Sequence, residues 1–297
     1  MAIEYIEVTD LSIPDLQIYT DSSEVALLRY FEPEPGIFIA ESPNVIMRAL
    51  NAGYEPISFL MEERYRDSEV IEFVRRMDNI RTGACVCDSS GTDSCAGNTS
   101  GTGNVRIYLA PQDVISRITG YPMTRGMLCT MRRKALSATK DILGRRIVIL
   151  EDVMNPTNLG AIVRSAAALG MDSIILSKGC TDPLYRRADR VSMGTVFQIP
   201  WTYAECDSLK ELIEELRLEG FVSLAMALKD DSLNLDDEVI SDIKKNDKLV
   251  IVLGSEGPGL RDDTIEACDH TIKIPMAGGV DSLNVAAASA VMFWALK

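Results

Sequence analysis

Short, mostly apolar runs punctuate the second half of the chain, at 147–151, 173–176, 221–225, 249–253 and 271–274. The purest is Leu249-Val250-Ile251-Val252-Leu253. A run without polar alternation suits a strand covered on both faces, as in a parallel sheet. Between the runs, a helical period predicts helices over 158–169, 209–218 and 262–267, with a short piece around 186–193. Strands alternating with helices imply an α/β domain. The final stretch, 284–296, has Ser289 as its only polar side chain after Asn284, so it is expected to be a helix buried on every side. Gly278 and Gly279 precede it, and Asp281 and Ser282 stand where its N-cap should be.

The first half carries the same alternation on a smaller scale. Residues 1–30 read as irregular and then helical, ending in 23–31. Strands are expected at 37–40, 57–61, 105–109 and 127–131. Ser42-Pro43 opens a helix that Gly53 stops, a second runs over 66–77 with Val70, Ile71, Phe73, Val74 and Met77 inward, and a third over 112–118. Residues 82–104 are Gly, Ser, Thr and Cys with little to bury, which reads as a flexible insertion. Basic residues crowd 132–146, where the domain boundary is placed: 1–140 and 141–297.

The length of 297 residues allows two domains with a sizeable core. No apolar run could span a bilayer, and the acidic first ten residues do not resemble a signal peptide. Seven cysteines without a disulfide framework point to a reducing cytoplasm. Cys85, Cys87 and Cys95 come closest to a metal set, but the sole histidine, His270, is remote, and three thiols do not close a tetrahedral site. No metal is expected. The net charge of −14 by itself argues against nucleic acid, since phosphate contacts need Lys and Arg.

Three turns at strand ends change that picture. N-P-T-N-L-G-A-I-V-R (155–164) follows the strand ending at Glu151, with Asn155 and Asn158 as turn and cap residues. Gly160 and Arg164 share a helix face, which lets the guanidinium or a ligand lie close to the backbone. L-G-S-E-G-P-G-L (253–260) follows the purest strand, and Gly254, Gly257 and Gly259 let its backbone approach a ligand. A bulky residue at Gly254 is therefore expected to block that ligand and spare the fold. Glu256 sits among them, where a charge would be costly without a role. I-P-M-A-G-G-V-D-S-L-N-V (274–285) is the third. Ligands of open α/β sheets bind beyond the carboxyl ends of strands, so three such turns favour a small-molecule site.

In order, these three stretches resemble the signature motifs of the SpoU (TrmH) RNA 2′-O-ribose methyltransferases, of the SPOUT superfamily. The likeness runs from about 147 to the end, and D-P-L-Y-R-R-A-D-R-V-S-M-G between the first two motifs also fits. F-I-A-E-S-P-N-V-I-M-R-A-L-N-A-G is similar, more weakly, to the substrate-binding domain of two-domain members, itself like a ribosomal protein that grips RNA kinks. The resemblance implies a SPOUT-type parallel sheet with a trefoil knot, a smaller α/β substrate-binding domain, and a homodimer formed through the C-terminal domain. It implies S-adenosylmethionine held by Gly254, Ile274 and Leu283 with Leu253, Gly257 and Met276. Asn155, Arg164, Glu256, Ser282 and Asn284 would line the catalytic side. The substrate implied is RNA, ribosomal rather than transfer RNA because of the ribosomal-protein-like module.

No histidine lies in any motif, and a guanidinium is a poor base. Arg164 is expected to hold the RNA phosphate and stabilise the developing oxyanion, with deprotonation assisted by that phosphate or by Arg164 itself. The clusters Arg132-Arg133-Lys134, Arg145-Arg146 and Arg186-Arg187-Arg190 are either a stripe gathered by a dimer or solvated faces. A non-catalytic RNA-binding protein keeping this fold would not need Asn155, Arg164, Glu256 and Asn284 together. A Rossmann-type oxidoreductase would need the glycine fingerprint that is missing.

Overall fold

The computed structural model describes residues 3–81, 105–119, 126–255 and 257–297. The insertion expected at 82–104, with Cys85, Cys87 and Cys95, lies outside the described residues, as does Glu256. The chain forms two compact units, Met1–Lys134 and Ala135–Lys297. No helix among the described residues is long and apolar enough to cross a membrane.

The first unit holds a five-stranded sheet in the order β1-β4-β3-β5-β2. Its strands are β1 (Ile3–Glu7), β2 (Ile37–Glu41), β3 (Pro56–Met61), β4 (Val105–Leu109) and β5 (Met127–Arg132). β1, β4 and β3 run parallel, while β5 is antiparallel to both β3 and β2. Short helices α1 (Gln17–Thr20) and α2 (Glu24–Leu28) precede β2, and α3 (Pro43–Asn51), α4 (Glu69–Arg81) and α5 (Gln112–Thr119) connect the strands. Leu16, Ile37, Ile39, Leu60, Ile115 and Leu128 belong to its buried core. β1 corrects the reading of residues 1–30 as strandless. It is an edge strand whose exposed Glu4 and Glu7 break up the apolar run, and its partner lies some hundred positions away.

The second unit contains β6 (Arg146–Leu150), α6 (Pro156–Leu169), β7 (Ser173–Leu176), α7 (Arg186–Val191), β8 (Trp201–Tyr203) and α8 (Leu209–Leu218). β9 (Val222–Met226), β10 (Leu233–Asn234), α9 (Glu238–Ile243), β11 (Leu249–Leu253), α10 (Asp262–Ala267), β12 (His270–Lys273) and α11 (Val285–Leu296) follow. Its seven strands are all parallel, in the order β10-β12-β9-β11-β6-β7-β8. β11 is inserted between β6 and β9, and all five of its residues are buried, which is why its sequence has no polar position. β8, β10 and α9 were not expected from the sequence. Each is short, and β10 and α9 are only partly covered, so neither offers a sustained apolar period.

Two local expectations are corrected in this unit. α11 is buried on one face only: Ala288, Ser289, Met292, Phe293 and Leu296 point inward, while Val291 and Trp294 are exposed. Each fully buried large apolar side chain contributes about 1.5–3 kcal/mol, so Met292, Phe293 and Leu296 hold the helix without help from Trp294. At Gly160 it is α7, rather than Arg164 or a ligand, that uses the missing side chain. A Cβ there would lie 2.5 Å from the carbonyl oxygen of Ala188. Gly160→Ala must therefore push α7 off α6, and urea unfolding of this variant is expected to show a loss of about 1–3 kcal/mol.

Candidate functional site

The carboxyl ends of β9, β11 and β12 open into a cleft of about 730 Å³. The turn after β11 and the stretch before α11 form its walls. Leu253, Gly254 and Gly257 line it from the first, and Ile274, Met276, Ser282, Leu283 and Asn284 from the second. Ile272 and Ala288 add apolar surface, and Lys229, Arg261, Asp262 and Lys273 add charge. Lys229 Nζ donates to Asp262 Oδ1 at 2.8 Å, and that hydrogen bond and charge hold the Asp262 carboxyl below its usual range. The glycines of the turn differ in use. Gly259 has φ +73°, which favours glycine, and Gly257 faces open space. Gly254 is packed against its own loop, with an added Cβ 2.3 Å from the Gly259 carbonyl carbon. A side chain at Gly254 would thus displace the loop itself, contrary to the expectation that the fold would be spared.

A buried carboxylate that the sequence reading treated only as a strand end fixes this loop. Glu151, 1 % exposed at the end of β6, accepts from Thr264 Oγ1 at 2.7 Å and from the Arg261 backbone N–H at 2.8 Å. Its own N–H donates to the Leu253 carbonyl at 2.8 Å. Next to it Asp152, at φ +54°, accepts from Arg261 Nη2 at 2.6 Å and from Ser177 Oγ at 2.8 Å. The two carboxylates hold the Arg261 end of the turn to the floor laid by β6 and β7, and the Glu151 backbone N–H holds the Leu253 end. The signal available in the sequence was an E-D pair closing an apolar strand, where burial demands partners.

The N-terminus of α6 reaches the cleft through α11. Asn155 is the N-cap, accepting from Thr157 N at 2.9 Å, and Pro156 is the first helical residue. Asn158 is not a cap: it is buried inside the first turn and accepts from Asn284 Nδ2 at 3.2 Å. Asn284 in turn caps α11, accepting from Ala286 N at 2.9 Å, so the cap falls on Asn284 rather than on Asp281 or Ser282. Arg187 Nε of α7 donates to Thr157 Oγ1 at 2.7 Å. Arg164 stands apart. Six residues beyond Asn158 place it about 9 Å along the helix and about 120° around it. It is exposed and makes no hydrogen bond or ion pair among the described residues.

With this geometry in place, the profile of the SpoU rRNA Methylase family matches residues 145–294, half of the chain. The chain belongs to that family. A tRNA/rRNA methyltransferase of Mycobacterium bovis is 37% identical over 189 residues, which cover 63% of this chain and 64% of that relative. The match therefore spans a little under two thirds of the relative's length. A 23S rRNA (guanosine-2′-O-)-methyltransferase of Vibrio vulnificus is 35% identical over 158 residues, 51% of this chain and 60% of its own. A crystal structure of an AdoMet-bound rRNA methyltransferase from Sinorhizobium meliloti superposes with a TM-score of 0.72 at 25% identity, covering 98% of this chain and 97% of that one.

Within this SpoU family domain, the structure brings eight of the expected site residues to one cleft: Leu253, Gly254, Gly257, Ile274, Met276, Ser282, Leu283 and Asn284. Asn155 does not line the cleft; it caps the helix turn whose Asn158 meets Asn284, and Arg164 lies further along the same helix. His270, at the start of β12, is four strand residues from Ile274, about 13 Å away, so it does not enter the cleft. Glu151→Ala would orphan the Thr264 hydroxyl and the Arg261 N–H, at about 1–3 kcal/mol for each buried group. We expect denaturant unfolding to show that loss, faster exchange of the Arg261 amide by NMR, and about half the loss or less for Glu151→Gln.

Proposed function

We propose that the chain is an S-adenosylmethionine-dependent methyltransferase that modifies a ribose 2′-hydroxyl of RNA, ribosomal rather than transfer RNA, in the cytoplasm. The observation that carries the reading is the convergence of 253–259 and 274–284 on one cleft at strand ends. The residues fit the cofactor: Leu253, Met276 and Leu283 offer apolar surface to an adenine ring, and Gly257 offers exposed backbone beside it. When bound, the cofactor supplies a methyl group on a positively charged sulfur. The work left to the protein is alignment of the ribose hydroxyl with that group. In this reading Ser282 and Asn284, which line the cleft, orient the sugar, with Asn155 beyond them. Glu256 belongs to this set by motif. The knot implied by the family is part of the same reading.

Arg164 enters as the residue that holds the RNA phosphate and stabilises charge developing on the ribose oxygen. Its distance from the cleft within one copy calls for a second copy to deliver it. The exposed apolar face of α11, with Val291 39% and Trp294 63% exposed, supports a homodimer through this domain. The other basic clusters are occupied: Arg132 stacks on Phe31, Arg133 donates to the Ile37 carbonyl, Lys134 lies over Tyr54, and Arg146 binds the carbonyls of Lys244 and Asp247. An acidic chain thereby keeps Arg164 uncommitted.

Arg164→Ala is expected to bind S-adenosylmethionine normally by calorimetry and to lose about a hundred- to a thousand-fold in methyl transfer to ribosomal RNA from a deletion strain. Wild-type turnover in this variant would remove Arg164 from the mechanism, and no transfer by the wild type would favour a binding protein instead. Coexpressing Arg164→Ala with Asn284→Ala should restore about a quarter of the activity, the share of intact sites after random pairing of two copies. Trp294→Glu should yield a monomer by light scattering that binds the cofactor without transferring methyl groups.

A further inference from the structure

We propose that a second cleft, in the first unit, reads an unpaired guanine base of the RNA. The inference rests on the proposed function for its ligand being RNA and on nothing else in that reading. The cleft, of about 700 Å³, lies where α1 and the segment before it cross the amino ends of β3 and β4. Glu4, Asp15, Gln17, Tyr30, Arg106 and Tyr108 line it.

The polar groups there are arranged unevenly. Arg106 Nη1 donates to Asp15 Oδ2 at 2.8 Å, and Tyr108 Oη donates to the same oxygen at 2.9 Å. Burial and then the Asp15 hydrogen bond push the Tyr108 hydroxyl up, so it stays a donor. Asp15 Oδ1 accepts nothing among the described residues, and Glu4 sits 3.8 Å from Arg106 Nε without a hydrogen bond. Two carboxylates against one guanidinium make the cleft acceptor-rich and slightly negative, which disfavours a phosphate as its ligand.

A base fits better. Of the four, guanine offers the most N–H donors on its pairing edge, at N1 and the exocyclic amine, beside a carbonyl acceptor. The free oxygen of Asp15 with Glu4 matches those donors, and Arg106 Nη2 beside them matches the carbonyl. Tyr30, 55% exposed at the rim, supplies the ring face on which single-stranded bases stack.

The test uses the whole chain and fluorescein-labelled RNA pentamers UUGUU, UUIUU and UUAUU, the inosine lacking only the exocyclic amine. Anisotropy should give UUGUU an affinity about 5- to 150-fold above the other two, the discrimination of a good paired contact. Asp15→Asn, which presents a donor in place of an acceptor at an exposed position, should erase the preference. Tyr30→Ala should weaken all three alike. Equal binding of the pentamers, no binding of any, or a preference that survives Asp15→Asn overturns the proposal. Methyl transfer and cofactor binding, measured on the same wild-type and Asp15→Asn samples, keep the two readings apart. A chain that prefers UUGUU but transfers no methyl group fails only the proposed function, and an active enzyme without the preference fails only this one.

Discussion

The second unit turns on one buried carboxylate. Glu151 is almost fully out of water, and its charge is tolerable only because a hydroxyl and a backbone N–H converge on it. Those two donors come from opposite sides of the start of α10, so the acid fixes where the helix begins. The helix start in turn fixes how the preceding glycine turn closes back on Gly254. β6, β11 and α10 are thereby tied together, and the cleft is the hollow that they leave against the 274–284 stretch.

The two helices beside the cleft divide the labour differently. α11 brings Asn284 to the rim and spends its inner face on packing, leaving an apolar outer face that a solitary globular unit would be expected to hide. α6 anchors its first turn to that same asparagine but carries its uncommitted arginine away from it. Under the proposed function, a site divided along one helix in this way calls for a second copy. The acidic balance of the chain reads differently in that light: the Arg132–Lys134 and Arg146 groups are held by carbonyls and aromatic rings and Arg187 by Thr157, whereas Arg164 on α6 is exposed and makes no hydrogen bond or ion pair among the described residues.

The sheet of the second unit was legible because its central strand, β11, is wholly covered and so wholly apolar; Leu249 to Leu253 could hardly be anything else. The cleft was legible through the glycines and amides at strand ends, where backbone must be exposed. What could not be read has a common cause in distance. β1 pairs with a strand some hundred residues away, Asn158 looked like a cap until Asn284 arrived across the fold, and Gly160 is small because of Ala188. α11 looked buried all round because its composition does not distinguish a face turned to the core from one left open. The role of Glu151 was hidden for the same reason, since both of its partners lie more than a hundred positions downstream.

The place of β11 in the sheet also sets a timetable. β6 can pair with β7 early, but its other edge and the facing edge of β9 are both reserved for a strand that ends at Leu253. During synthesis at about 5–20 residues per second, that edge of β6 waits roughly 5–20 seconds for its partner to be made. The helix that completes the rim is later still, being the last element of the unit. A nascent chain of this protein therefore carries an open, apolar strand edge for seconds, the kind of edge at which strands pair wrongly.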